Sequence, residues 1–182
     1  MTNSELLDLK HQAQNNTYTT HGDISEADCV LGFSFGYVDD NGKILPGKSN
    51  EQLAQYIDDT FPNKPLILQF EIADAIQKQE PALVIRESRT KGEYLNSKEI
   101  AEQALIFMIK NGWKKAAIVT HSAMEARNDA VCKKLGIITI LPPGLDSIEY
   151  DVNSVQSWTR DKESWWKREE QVIDKCYEEG WI

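Results

Sequence analysis

Long apolar runs are missing from this chain of 182 residues. The longest useful ones, such as Ala104 to Ile109, fall far short of the about 18 residues that cross a bilayer, which argues against a membrane partner. Residues 1–10 carry Glu5 and Asp8 where a secretory signal would place a basic and then an apolar stretch. Cysteine is scarce: Cys29, Cys132 and Cys176 are odd in number, far apart and in no CxxC spacing, which excludes a disulfide scaffold and fits buried thiols in a reducing compartment. These features place the protein in the cytoplasm. Positive charge is also in deficit. With 20 Lys and Arg against 29 Asp and Glu the net charge is −9, so no global field draws in nucleic acid or an anionic membrane. His, Cys, Asp and Glu never take metal-ligand spacing, so no metal is expected. A P-loop is not expected either, because no buried apolar strand leads into the segment that carries Gly47-Lys48-Ser49.

What is present is an alternation. Residues 1–26 are polar, rich in Asn, Thr and Gln, and read as a loosely attached lead-in with at most a short helix around Ser4 to Gln14. From residue 27 to 182 one domain follows, long enough to bury about 70% of its unfolded surface. Apolar runs at Cys29–Gly32, Pro65–Leu68, Ala82–Ile85, Ala116–Val119 and Ile137–Leu141 read as about five buried strands. Between them lie helical stretches: one opened by the capping box Ser49-Asn50-Glu51-Gln52, a short one at Ile72 to Gln79, one from Asn96 or Ser97 to Gly112, and one from Ala123 to Leu135. A last helix starts near Asp161. Unbroken apolar strands separated by helices predict an α/β sandwich with a mostly parallel sheet covered on both faces. Trp158, Trp165, Trp166 and Trp181 crowd the end of the chain, as expected of a helix packed on the core or of a homodimer surface.

In such a sheet ligands bind at the carboxyl ends of the strands, which turns the strand assignment into a list of candidates. Gly32, Ser34 and Gly36 follow the first strand, and their backbone N–H groups and hydroxyl suit an anion. Glu71 follows the second strand and Glu87, Ser88, Arg89 and Thr90 the third, a costly polar cluster unless paired or functional. There Arg89 would neutralise Glu71 or Glu87. Thr120 and His121 follow the fourth, and Arg127, one turn into the next helix, is placed to grip an anion. Glu71, Glu87 and His121 are the acid–base candidates; the others are ligand-binding candidates. Residues 32–36 also spell GxSxG, but a hydrolase elbow leads directly into a helix and this segment runs into the turn Asp39-Asp40-Asn41-Gly42. The acidity lies at the two ends. Residues 1–40 hold seven acids and one base and 147–182 nine acids and five bases, whereas 41–146 hold thirteen acids and fourteen bases, a near-neutral middle that still admits a small anion.

Ala27-Asp28-Cys29-Val30-Leu31-Gly32, Glu87-Ser88-x-Thr90, Val119-Thr120 followed by Arg127, and Trp158-Thr159-Arg160 with Glu169 resemble, in this order, the bacterial YdcF-like family, which includes the SanA and ElyC envelope proteins. The resemblance covers residues 27–182 and is to the branch without a membrane anchor. It implies a Rossmann-like fold with an acidic and basic pocket on the carboxyl rim. It also implies a nucleotide-like or anionic small-molecule ligand, S-adenosylmethionine being the usual suggestion. Two departures stand out: Met124 replaces the histidine commonly three residues before the arginine, and Lys91-Gly92-Glu93-Tyr94 follows Thr90 where a T-x-E-N pattern is usual. An enzyme of undetermined reaction class is therefore one expectation, a ligand sensor without turnover a second, and a transferase or phosphatase on a sugar phosphate or lipid-linked sugar a third.

Overall fold

The computed structural model describes residues 1–15, 17 and 19–182. Along the chain the elements are α1 (Asn3–Asn15), β1 (Cys29–Gly32), β2 (Val38–Asp40), β3 (Lys43–Leu45), α2 (Gly47–Thr60), β4 (Leu66–Gln69), α3 (Phe70–Ala73), β5 (Leu83–Ile85), α4 (Ser97–Asn111), β6 (Lys115–Val119), α5 (Ser122–Lys134), β7 (Ile138–Ile140) and α6 (Lys162–Glu178). The five apolar runs form one parallel sheet in the order β5-β4-β1-β6-β7. Alternate residues of the central strands face opposite layers. Cys29, Leu31, Ile67, Ala116 and Ile118 meet the buried residues of α1, α4, α5 and α6, and Val30, Leu66, Leu68, Ala117 and Val119 meet those of α2 and α3. This is the expected Rossmann-like three-layer sandwich. The three cysteines are free and buried, and Trp165 is buried on the core with its indole N–H donating to the Ala123 carbonyl at 3.0 Å.

Helix ends with matching chemistry form where the residues predict them. Asn96 caps α4 by accepting from Glu99 N–H at 3.0 Å and Gly112 closes it in the left-handed region; Asp161 caps α6 through Ser164 N–H at 2.8 Å. Four local features depart. Helix α2 starts at Gly47, and Ser49 and Asn50 turn inward, fully buried, instead of forming a capping box. Helix α3 is a single turn that starts directly at the strand end, because the Asp58 carboxylate captures the N–H groups of Gln77 and Lys78, at 2.9 and 3.2 Å, and draws the chain off the helical path. The turn at Asn41-Gly42 closes a small hairpin, β2–β3, with both residues at positive φ as a two-residue turn of this hand requires. The lead-in is docked rather than loose: Leu9 and Ala13, spaced to share a stripe, are buried against the core, and residue 21 pairs with Leu141 by backbone hydrogen bonds of 3.2 and 2.9 Å. Asn16 and Tyr18 of that lead-in lie outside the described residues.

No helix among the described residues is long and apolar enough to cross a membrane. The sheet order defines one special place. The chain moves outward from β1 through β4 to β5, then crosses back through α4 to lay β6 on the other side of β1. The loops leaving Gly32 and Val119, which are register partners, therefore diverge to opposite faces, and that crevice is where open parallel sheets hold ligands.

Candidate functional site

The loop after β1 occupies this crevice, and its backbone donors can be followed one by one. Phe33 N–H donates to Val119 O at 3.0 Å, Ser34 N–H to Gln69 Oε1 at 3.0 Å, Phe35 N–H to Asn50 Oδ1 at 2.8 Å, and Tyr37 N–H to Ser154 Oγ at 3.3 Å. Four backbone donors of the loop expected to cradle an anion, Ser34 N–H among them, are thus engaged by the protein itself. The glycines serve close packing. A Cβ on Gly32 would lie 2.7 Å from Leu68 Cδ2, and one on Gly36, which sits at φ +70°, would lie 2.5 Å from Thr159 Oγ1 and 2.6 Å from Ser154 Oγ.

Asn50 is the hub of this arrangement and was not legible as such, since its letters read as part of a cap. Besides accepting from Phe35, it donates to Gly36 O at 2.8 Å and Pro46 O at 2.7 Å. Truncation to Ala leaves two buried carbonyls and one N–H unmatched, at roughly 1–3 kcal/mol for a buried group left without a partner. We expect Asn50→Ala to lose about 2 kcal/mol in urea unfolding, with Asn50→Asp losing a comparable amount because it keeps only the acceptor. A loss below about 0.5 kcal/mol would show that the loop holds itself without Asn50.

Glu71 is the most distinctive group on the rim. It lies in the first turn of α3, is 6% exposed, and its Oε2 meets no donor among the described residues. Burial pushes its carboxyl up to about 7, against the pull of its own N–H, Ser34 and Gln69, while Asp74 pushes it further. Asp74 is itself held by Arg86, at 2.7 and 3.3 Å. Ser34, Gln69 and Glu71 therefore form one polar group at the ends of β1 and β4.

On the β6 side, Thr120 is fully buried and accepts from Asn128 Nδ2 at 3.2 Å. His121 caps α5, its Nδ1 accepting from Ala123 N–H at 3.1 Å. Its ring stacks on Phe35 with centroids 4.0 Å apart and meets the edge of Tyr150 at 4.5 Å. Burial pushes it down to about 3, so it is neutral at ordinary pH with its proton on Nε2, which meets no acceptor among the described residues.

The remaining candidates are committed elsewhere. Arg127 is buried, its Nε on Glu169 Oε1 at 2.7 Å and its Nη1 on Ser97 Oγ at 2.7 Å. It ties α5 to α6 and α4 in place of gripping an anion. Arg89 pairs with Glu99, at 2.8 and 2.9 Å, and with Glu102, not with Glu71 or Glu87. Arg89 holds Glu99 down at about 2. Ser88 Oγ accepts from Thr90 N–H at 3.2 Å in a local turn, and Glu87 and Thr90 are exposed. The structure thus brings Ser34 and Glu71 together, with Gln69, beside Thr120 and His121. It leaves Glu87, Ser88, Arg89 and Thr90 on the β5 edge against α4. Comparison with known proteins finds no matching family model, no matching curated protein and no matching solved structure.

Proposed function

We propose that the chain binds a small nucleotide-like molecule at the carboxyl edge of its sheet and that Glu71 exchanges a proton with it. The observation that carries this reading is the Glu71 carboxyl itself: buried at the crevice, flanked by Ser34 and Gln69, lacking a donor on Oε2, and titrating near neutrality. Such a group accepts from a ligand hydroxyl when ionised and donates when protonated. The rim arginines are engaged, Arg86 with Asp74, Arg89 with Glu99 and Glu102, and Arg127 with Glu169. The site therefore suits the hydroxyl-bearing, nucleoside end of a ligand better than a phosphate. S-adenosylmethionine, which carries a ribose diol and no phosphate, fits that chemistry, and the resemblance to YdcF-like proteins points the same way. The buried unpaired thiols go with a cytoplasmic setting.

A thermal-shift screen with S-adenosylmethionine, adenosine, nucleotides, sugar nucleotides and phosphorylated sugars tests the proposal. A specific ligand at 100 times its dissociation constant stabilises by about 2.7 kcal/mol, and Glu71→Gln or Ser34→Ala should remove most of that. An empty screen, or a ligand whose effect both variants retain, overturns it. Binding without turnover is the second reading, favoured because His121, the other titratable group at the crevice, is stacked and spends Nδ1 on α5. Chromatographic detection of product from the bound ligand rejects that alternative.

A further inference from the structure

A cavity of about 650 Å³ opens where the lead-in packs on α5, and none of Ser34, Gln69, Glu71, Thr120 and His121 lines it. That volume is within the about 300–1,000 Å³ of small-molecule sites. Helix α1 supplies Asp8 and Leu9 to the lining, α5 supplies Glu125, Ala126 and Ala130, and Leu141 follows from the sheet. Glu125 is the group without an evident structural use. It is 3% exposed; its Oε2 takes one long bond, from Thr19 N–H at 3.3 Å, and its Oε1 meets no donor among the described residues and is open to the cavity. Lys133, two turns along α5, does not serve it, because its ammonium pairs with Asp129 at 2.7 Å. Burial pushes the Glu125 carboxyl up to about 7, and Asp129 pushes it further, so the ionised form prevails at pH 8. A carboxylate held out of water with one weak donor calls for a cationic N–H group.

We propose that this cavity binds an organic ammonium ion with an apolar body, of the arylalkylamine kind, whose ammonium donates to Glu125 Oε1. Leu9 and Leu141 cover the body, and Ala126 and Ala130, one turn apart, leave room for a ring along α5. Asp8 lends a second carboxylate from α1, and the remaining lysine of the lining, Lys134, is exposed. An anionic ligand fits less well, since the inward-facing acceptor would then stay without a donor. Because the lead-in builds part of the site, the ligand and the docking of α1 stabilise each other.

The test is isothermal titration of the full chain at pH 8 with phenethylamine, tryptamine and 1-aminohexane, beside the neutral 2-phenylethanol and the anionic 3-phenylpropionate. Glu125→Gln keeps an oxygen for Thr19 N–H while removing the charge, and Ala130→Leu fills the room along α5 while leaving Glu125 in place; circular dichroism should show both folded. We expect an amine to bind at least tenfold more tightly than the alcohol and the carboxylate, each variant to weaken it tenfold or more, and the bound amine to slow proteolysis within the lead-in of the parent chain. Glu170→Gln, which removes one exposed charge from α6, should leave binding unchanged. No binding of any amine at millimolar concentration overturns the proposal. So do an alcohol or carboxylate that binds as tightly as the amine, an amine affinity undiminished in either cavity variant, or a loss in Glu170→Gln equal to that in Glu125→Gln. Glu71→Gln should bind the amine as the parent does; an equal loss there would assign the amine to the crevice and overturn this site.

Discussion

Arg127→Met should unfold in urea with a stability lower than the parent chain by about 3–5 kcal/mol, the range for breaking a buried ion pair from one side. The guanidinium joins three helices: its Nε meets Glu169 on α6, its Nη1 meets Ser97 at the start of α4, and it sits on α5 itself. Burial opposes its charge, and the Glu169 carboxylate offsets that, so the arginine stays protonated. Glu169 is fully buried and burial pushes its carboxyl upward against the pull of Arg127; its Oε2 already lacks a donor. Methionine fills the volume but strands that carboxylate. Adding Glu169→Leu removes the stranded charge, and the double variant should recover at least half of the loss. Tryptophan fluorescence follows the transition, because Trp165 lies one turn before Glu169 on α6. A single variant as stable as the parent, or a double variant no better than the single one, would show that the pair does not organise these helices. If the double variant still binds the crevice ligand, Arg127 is a scaffold residue and not an anion anchor.

That outcome bears on what the residues alone can tell. Arg89, at a strand end, and Arg127, one turn into the helix after the next strand, were legible as charges near the rim, where a costly polar residue needs a partner. Their partners were not, because Glu99, Glu102 and Glu169 belong to helices whose placement depends on sheet order. The sheet itself was legible, since burial on both faces leaves unbroken apolar runs at Cys29–Gly32 and Ala116–Val119. Helix α4 was legible to within a residue because Asn96 and Gly112 are end signals with specific hydrogen bonds. Asn50 shows the converse: the letters of a capping box describe a local option, and the loop after β1 outbid it with buried partners at Phe35 and Gly36. Glu71 stood on the rim in both views, but its burial, and hence its chemistry, came from α3 starting without a linker at the end of β4.

Glu71→Gln should make the protein more stable at high pH and less functional at every pH. The folded chain holds the Glu71 proton up to about 7, against an ordinary carboxyl value of 4.5. A group bound more tightly by the folded state contributes fully below the unfolded value and loses that contribution as pH rises through the folded value. Through Glu71 the parent chain should therefore weaken between about pH 4.5 and 7.5, a loss that is absent from the glutamine variant, whose residue 71 is fixed in the uncharged form. A pKa difference of this size is worth about 3 kcal/mol at 1.36 kcal/mol per pKa unit, so the two curves should meet near pH 4.5 and stand about that far apart at pH 8.5. Glu125 tilts both curves alike, since burial also pushes it up to about 7 beneath the Thr19 N–H, so Glu71 is read from their difference. Glu125→Gln should shift stability in the same direction yet leave crevice binding intact, because it faces α1 and not the rim. In Glu71→Gln the same change should weaken the crevice ligand tenfold or more and abolish any proton transfer. Stability gained where function is lost is the mark of a group kept uncomfortable for its chemistry. Equal stability of parent and variant at pH 8.5, or undiminished ligand binding, would make Glu71 an ordinary buried residue and leave the crevice without its acid–base group.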